Sequence, residues 1–489
     1  MEFKLLDFNI YEENKNESDS DCGLEDESFI IQMFGLNEKG LSCSIFVENF
    51  NPFFFIKVGE DWNENTMNLY IQELKRKIGK KFSNCISKTQ LVKKKQLYGF
   101  DAGKKYNFIY IEFLNQKAFN KTKNVWYYYD QSTKQRYLKK KAFIFRNFET
   151  QMYESNIPPL LRFFHIKEIS PSGWIKIVNT NKCKFKIIDD ENKISNCDYE
   201  LRVSHTNVRP IIDKETSVPY KIMSFDIEAS SSHGDFPVPI KSYKKLASNI
   251  IDYLENNNIS NDKLHLTLEK LIQASFGNQK INQIDIVYPK CKHVKKSLLD
   301  KMITDWLTCE YNDKQIQNEQ NTIEDLFDKM KEEEEENEFN SKLNKRKTNQ
   351  NNYKIDSLIN DSEYKREEKI NKINWSLSKY FPPLEGDKVT FIGSTFQKNG
   401  ESEPYLNHCL VLNSCANLDS ENSVIESVNE EKDLLVAWRD LIEKEQPDII
   451  IGYNIFSFDY SFMFNRAKEL NCVEEFLTLS RNKDEICGS

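Results

Sequence analysis

Two apolar runs most constrain what this chain can fold into. Residues Tyr220–Glu228 form a short apolar stretch that closes on two acids, Asp226 and Glu228. Far downstream, Asp448-Ile449-Ile450-Ile451-Gly452-Tyr453 carries no charge after its first residue. An unbroken apolar strand is the pattern of a parallel sheet covered on both faces, and parallel neighbours need a crossover, most often a helix. The intervening sequence supplies one. Leu434, Leu435, Trp438, Leu441 and Ile442 fall on one helical face, with Ser427-x-x-Glu430 as the expected capping box and Pro447 as the stop. Upstream, residues 388–396 and 405–412 read as two strands flanking the turn signal Asn399-Gly400. A last helix is expected over 459–470. The expected order is therefore strand, hairpin, helix, strand, helix, with acids at strand and helix ends, where α/β sheets place their sites.

Acids spaced i, i+2 at a strand end point to the same face, so a third acid from a helix start would let them hold a divalent metal. The spacing alone is weak. Asp189/Glu191, Asp198/Glu200, Asp213/Glu215, Asp361/Glu363 and Asp419/Glu421 share it and read as surface charge. Asp226/Glu228 differs because it ends an apolar strand, where unpaired acids are costly to bury. A structural ion pair and a metal site both remain open for it. Asn454-x-x-x-Phe458-Asp459 follows the second run directly. It offers an amide that can donate to a phosphate or sugar, an aromatic ring, and an acid in the first turn of a helix. Alone, Asp459 is equally a residue favouring the helix dipole and Phe458 equally core. Together with Asp226 and Glu228, the catalytic reading is preferred.

The remaining sequence divides by composition. Residues 29–35, 41–47 and 53–58 read as short strands, Asn68–Ile78 as a helix and 106–111 as an aromatic strand, which makes the first two hundred residues a compact α+β domain. Residues 1–28 read as an acidic flexible leader. Helical patterning returns after 241, for example at Leu264, Leu266, Leu268, Leu271 and Ile272. From about 311 to 372 Asn, Glu and Lys dominate, too few apolar residues to offset the entropy of ordering, and the stretch is expected to lack fixed structure. The 489 residues carry a formal net charge of −8, against bulk electrostatic binding of nucleic acid, yet the N-terminal third is locally basic. Lys75-Arg76-Lys77, Lys80-Lys81, Lys93-Lys94-Lys95 and Lys139-Lys140-Lys141 interleave with Tyr98, Tyr106, Trp126 and Tyr127–Tyr129, so they suit a nucleic-acid backbone with stacked bases as well as they suit a solvated surface. Eleven cysteines contain no C-x-x-C pair, and Cys291-x-His293 lacks partners at zinc spacing. No run of eighteen apolar residues exists, and an intracellular protein without membrane contact is expected.

Phe225-Asp226-Ile227-Glu228 resembles the first exonuclease motif of family B DNA polymerases, and Gly452-Tyr453-Asn454-Ile455-Phe456-Ser457-Phe458-Asp459-Tyr460 resembles the second. Phe50-Asn51-Pro52-Phe53-Phe54-Phe55, Tyr153–Pro158, Gly173-Trp174 and Phe381–Asp387 are similar to the delta-type branch. Ala229–Pro237 and the large insertion are most similar to polymerases of giant DNA viruses of protists. The resemblance covers most of the chain, leaving out the first thirty residues and the block from about 241 to 374. It implies a polymerase N-terminal domain over 29–215 that helps bind template, then a ribonuclease-H-like α/β 3′→5′ exonuclease domain beginning at 216–240. An insertion at 241–374 would interrupt that domain before it resumes over 375–489.

By the same resemblance, Asp226, Glu228 and Asp459 are the catalytic metal ligands for a pair of Mg2+ ions, with Mn2+ as a substitute. Asn454 and Phe458 guide a single-stranded 3′ end. The third exonuclease motif, Tyr-x-x-x-Asp, and the palm motifs that use dNTPs on a primer-template are absent. The domain is therefore expected to be incomplete, with a C-terminal polymerase segment and a sliding clamp as partners in the complete enzyme. The expected setting is the nucleus or a cytoplasmic viral replication compartment. Two alternatives remain: a non-catalytic fragment that binds nucleic acid or a partner, and a standalone 3′→5′ exonuclease drawing an acid from elsewhere, such as Asp484.

Overall fold

A computed structural model describes every residue except 15–23, 97–101, 131–134, 140–142, 180–183, 232–233, 258, 292–293, 313–351, 417–421 and 489. Tyr98, Lys140, Lys141, His293 and the Asp419/Glu421 pair lie outside the described residues. So does most of the stretch expected to lack structure. Among the described residues the fold is a mixed α/β arrangement of two large N-terminal sheets, a helical unit and a C-terminal five-stranded sheet, with three small two-stranded sheets besides.

The first sheet has seven strands, in the order Lys186–Ile187, Tyr199–Ser204, Ser42–Glu48, Glu27–Leu36, Glu2–Asn14, Trp174–Ile177 and Val208–Ile211. The expectation of a flexible leader fails here. Glu2–Asn14 is an inner strand, antiparallel to both Glu27–Leu36 and Trp174–Ile177, and Phe3 and Leu5 are buried. One of its partners is more than 150 residues away, and local composition carries no trace of such pairing. Glu200 also departs from its expected place on the surface. It is buried and accepts bonds from the Ser195 backbone N–H (2.9 Å) and hydroxyl (2.6 Å).

The second sheet runs Gln151–Tyr153, Phe53–Lys57, Lys105–Phe113, Ile86–Lys95, with helices Glu64–Ile78 and Gln116–Lys123 on one face. The first helix begins four residues before its apolar pattern suggests, because the Asn63 side chain accepts the Thr66 N–H at 3.0 Å and caps it.

Helices Lys244–Asn257, Asn261–Ser275, Lys296–Thr308, Ile355–Asn360 and Arg366–Tyr380 build a unit with its own core, in which Ile250, Leu268, Trp306 and Ile373 are buried. The last two helices correct the expectation for 311–372, whose end is folded. Ile355, Leu358, Ile370 and Ile373 are few but spaced for one helical face, and each reaches a core supplied by distant helices.

In the C-terminal sheet the order is Ser423–Val428, Leu406–Leu412, Lys388–Lys398, Lys221–Ser230, Ile449–Ile451. The expected hairpin and crossover are present. Lys221–Ser230 pairs antiparallel with Lys388–Lys398 and parallel with Ile449–Ile451, and between them Glu431–Glu445 buries Leu434, Leu435, Trp438, Leu441 and Ile442. Two details differ. Ser427 belongs to a fifth strand, pairing with Val411, so it cannot cap the helix. Glu430 occupies the N-cap without a side-chain bond. Ile449–Ile451 is an edge strand, with Ile449 and Ile451 39% and 49% exposed rather than covered on both faces.

Candidate active site

The strand Lys221–Ser230 alternates strictly. Met223, Phe225 and Ile227 face the core beneath Trp438, Phe462 and Met463, while Ser224, Asp226 and Glu228 face the open side. The sheet therefore presents both acids to solvent by the same pleat that buries their neighbours. Gly393 is the residue paired with Asp226, and a Cβ there would meet nothing within 4 Å. The missing side chain opens a shallow depression of about 340 Å³ beside the carboxylate, lined also by Thr395, Asn407 and Cys409.

Asp459 arrives from another element. After the edge strand, Gly452 packs so closely that a Cβ would stand 2.2 Å from Ile455 and 3.1 Å from the Phe225 carbonyl oxygen. Asn454 then takes a left-handed conformation (φ 55°), which asparagine tolerates better than most residues, and its carbonyl accepts the N–H groups of Ser457 and Phe458. That turn starts the helix Asp459–Glu469 on its acid. The Asp459 side chain is 2% exposed and accepts the Ile227 N–H at 3.3 Å, the same N–H that Asp226 accepts at 3.1 Å. Two carboxylates 233 positions apart in the chain thus meet on one backbone donor. Burial, countered by bonds from its own N–H and that of Ile227 and reinforced by the Asp226 carboxylate, raises the Asp459 pKa.

Of the five residues singled out from sequence, Asp226 and Asp459 come together. Glu228 lies two residues along the same face and is exposed, Asn454 is exposed in the turn, and Phe458 is half-buried against Phe462 and Phe236, with ring centroids 5.6 and 5.5 Å apart. Among the described residues no group of three or more His, Cys, Asp or Glu side chains is gathered to hold a metal. The fit to a cation is that of two crowded acids, one buried with a raised pKa, and a third on the same face. Asp484 is not brought to them. Its segment bonds Arg481 to Asp448, which accepts the Lys221 N–H, and Lys221 precedes Asp226 by five strand residues, about 16 Å.

Two contributors were missed from sequence. Phe236, 73% exposed, faces Phe458. Arg466 is 1% exposed and holds the Asp459 helix by bonds to Glu431 (2.6 and 2.8 Å), Glu469 and the Pro239 carbonyl (3.0 Å). Its place seven residues, two turns, after Asp459 was the one visible signal.

The model of the family described as "DNA polymerase family B, exonuclease domain" matches residues 150–291 and 291–486, more than half of the chain. The DNA polymerase of Phaeocystis pouchetii virus is 38% identical over 523 residues, covering 99% of this chain and 48% of that protein. That of Pyramimonas orientalis virus is 29% identical over 495 residues, covering 98% and 37%. The DNA polymerase delta catalytic subunit of Candida albicans is 40% identical over 108 residues, covering 22% and 10%. The chain spans about half or less of the length of these relatives. No helix among the described residues is long and apolar enough to cross a membrane.

Proposed function

Because this chain belongs to the family B DNA polymerases and includes their exonuclease domain, we propose that Asp226, Glu228 and Asp459 form the metal-binding core of a 3′→5′ proofreading exonuclease. The observation that carries this reading is the Ile227 N–H shared by Asp226 and Asp459. The sheet is read as ribonuclease-H-like: an antiparallel hairpin flanks one side of the acid-bearing strand and a helix-linked parallel strand the other.

Asp226, Glu228 and Asp459 would hold magnesium, or manganese in its place. Bound there, the ions would supply Lewis-acid stabilisation of the departing 3′ oxygen and lower the pKa of the attacking water. The residues of the chain do the positioning. Asp226 and Glu228 offer oxygens from one rigid pleat, and Asp459 offers its own from the start of a helix. The Asn454 amide donates to the sugar or phosphate of the terminal nucleotide. Phe458, with Phe236 against it, packs on the frayed end, and the depression over Gly393 leaves room beside Asp226. Hydrolysis forms a bond from water oxygen to phosphorus and breaks the bond from phosphorus to the 3′ oxygen. The freed 3′ hydroxyl takes up a proton.

Template-directed synthesis from dNTPs, and any contact with a sliding clamp, are proposed for the full-length protein only. The chain taken alone is expected to excise poorly, since among the described residues no group of three acids is gathered at Asp226 and Asp459, and Glu228 stands apart along the strand. In the full-length enzyme, Asp226→Ala with Glu228→Ala should remove magnesium-dependent excision of a mismatched 3′ end and spare primer extension. Loss of both activities together, in a variant that remains folded, would contradict the assignment.

A further inference from the structure

Residues 234–243 lead from the acid-bearing strand Lys221–Ser230 to the helical unit and belong to no helix or strand. They carry Phe236, whose ring is 73% exposed and stands 5.5 Å from the Phe458 ring at a tilt of 56°. A ring so exposed gains little from burial, and irregular backbone is costly to order. Its place beside Phe458 therefore has to be fixed by bonds to other elements. Asp387, the residue before the strand Lys388–Lys398, supplies most of them and is 4% exposed. Its Oδ2 accepts the Val238 N–H at 2.8 Å and its Oδ1 the Lys241 ammonium at 2.5 Å, while its own N–H donates to the Val238 carbonyl at 2.9 Å. Gly386 lets the two backbones meet, since a Cβ there would stand 1.9 Å from the Pro239 carbonyl oxygen. From the Asp459 helix, Arg466 Nη1 donates to that same carbonyl at 3.0 Å.

A buried, fully bonded carboxylate also serves simply to tie a loop, here the loop that starts the helical unit. That end is already secured without Asp387. Tyr243, 2% exposed, packs in the core of the helical unit and donates its hydroxyl to the Pro382 carbonyl at 2.7 Å. The two backbone bonds to Asp387 fall instead on Val238, upstream of that anchor and two residues beyond Phe236. What they hold in place is the stretch that presents the ring.

We propose that Asp387 is a positioning residue for excision: by seating Val238 it holds Phe236 against Phe458, so that the two rings make one fixed surface for the terminal base of the strand being cut. This rests on the reading of Asp226, Glu228 and Asp459 as the cleavage site. It assigns the base-holding side of that site to a carboxylate that acts only through the backbone of another segment.

The test uses the full-length enzyme and a primer with a mismatched 3′ end. Asp387→Ala should raise KM for excision about tenfold, the loss of one base–ring stack, with kcat changed by less than about threefold and primer extension unchanged. Asp387→Asn, whose amide oxygen accepts the Val238 N–H, should bring KM back to within about threefold of the parent. Gly386→Ala, which displaces the same segment without removing a charge, should raise KM as Asp387→Ala does and keeps the test open if Asp387→Ala fails to fold. Phe236→Ala should raise KM to the same extent, and combining it with either change should add nothing. A 3′-terminal 2-aminopurine in Asp226→Asn protein reports the held base without hydrolysis, and its anisotropy at saturation should fall with Asp387→Ala or Gly386→Ala. Losses that add in the double variants, slowed extension, or unchanged KM and anisotropy in folded protein would each overturn the proposal. Excision that persists in Asp226→Asn would instead contradict the reading of the carboxylates, and the anisotropy would still decide the role of Asp387.

Discussion

Gly393 shows how much of the proposed site is shaped by residues other than its carboxylates. It faces Asp226 across the strand pair, and the space it leaves is the depression beside the carboxylate. Gly393→Val is expected to fold normally, since its Cβ meets no neighbour and β-branched residues suit a strand. In the full-length enzyme it should cut excision by about tenfold to a hundredfold, by displacing the nucleotide from the acid. Excision and extension rates measured on one preparation check this. His408 carries a different kind of information. It is 9% exposed on the strand Leu406–Leu412, its Nδ1 has no partner among the described residues, and its Nε2 lies 3.5 Å from Glu426. Burial lowers its pKa, with Glu426 pulling the other way, so the folded protein resists a proton that the unfolded chain accepts near pH 6.5. Stability is then fully present above about pH 6.5 and is lost as pH falls from there through the lower folded value. His205 shifts in the same direction, also by burial. His408→Leu should flatten, without abolishing, the decline in urea midpoint below pH 6.5.

At the scale of elements, the helix that delivers Asp459 is held from its middle. The Arg466–Glu431 pair is 2% exposed on both sides, and Glu431 also accepts the Val389 N–H at 2.9 Å. One arginine therefore ties the helix to the start of the crossover helix and, through Glu431, to the hairpin strand. Arg466→Met would leave Glu431 buried without its cation, while Glu469 keeps Lys290 at 2.9 Å, and is expected to cost about 3 to 5 kcal/mol in urea unfolding. Adding Glu431→Leu should recover part of that loss, because an apolar pair can replace a buried ion pair at little cost. Failure of the second change to recover any stability would mean that packing, not the uncompensated charge, dominates. The crossover helix was readable because its five apolar positions obey a local period. Its N-cap was misread because Ser427 is taken by a strand whose partner, Leu406–Leu412, is specified elsewhere.

Across the whole molecule, a short segment around Asn482 bonds the C-terminal region to the N-terminal sheet, in addition to the junction at 216–220. Asn482 exchanges hydrogen bonds with Gln32 in both directions (2.7 and 3.0 Å), and Gln32 is fully buried. The Arg481 carbonyl accepts the Asn196 N–H and the Lys483 N–H donates to Ile194, both at 2.8 Å, while Arg481 pairs with Asp448. Asn482→Ala with Arg481→Ala should loosen this seam and split one calorimetric unfolding transition into two, with the exonuclease sheet otherwise intact. The sequence alone determined what depends on neighbours a few residues apart: the apolar strands, the crossover helix, the stretches that resemble exonuclease motifs and the acids that end their elements. Their side chains obey periods of two and 3.6, and these survive without tertiary context. Tertiary structure decided what depends on pairing over long separations. Glu2–Asn14 became an inner strand, helices formed at 355–380, Glu200 and Arg466 were buried, Asp226 and Asp459 met on one N–H, and the segment carrying Phe236 was seated on Asp387. Each of these rests on contacts whose energy is supplied by a distant partner, and no local pattern in the chain records which partner that is.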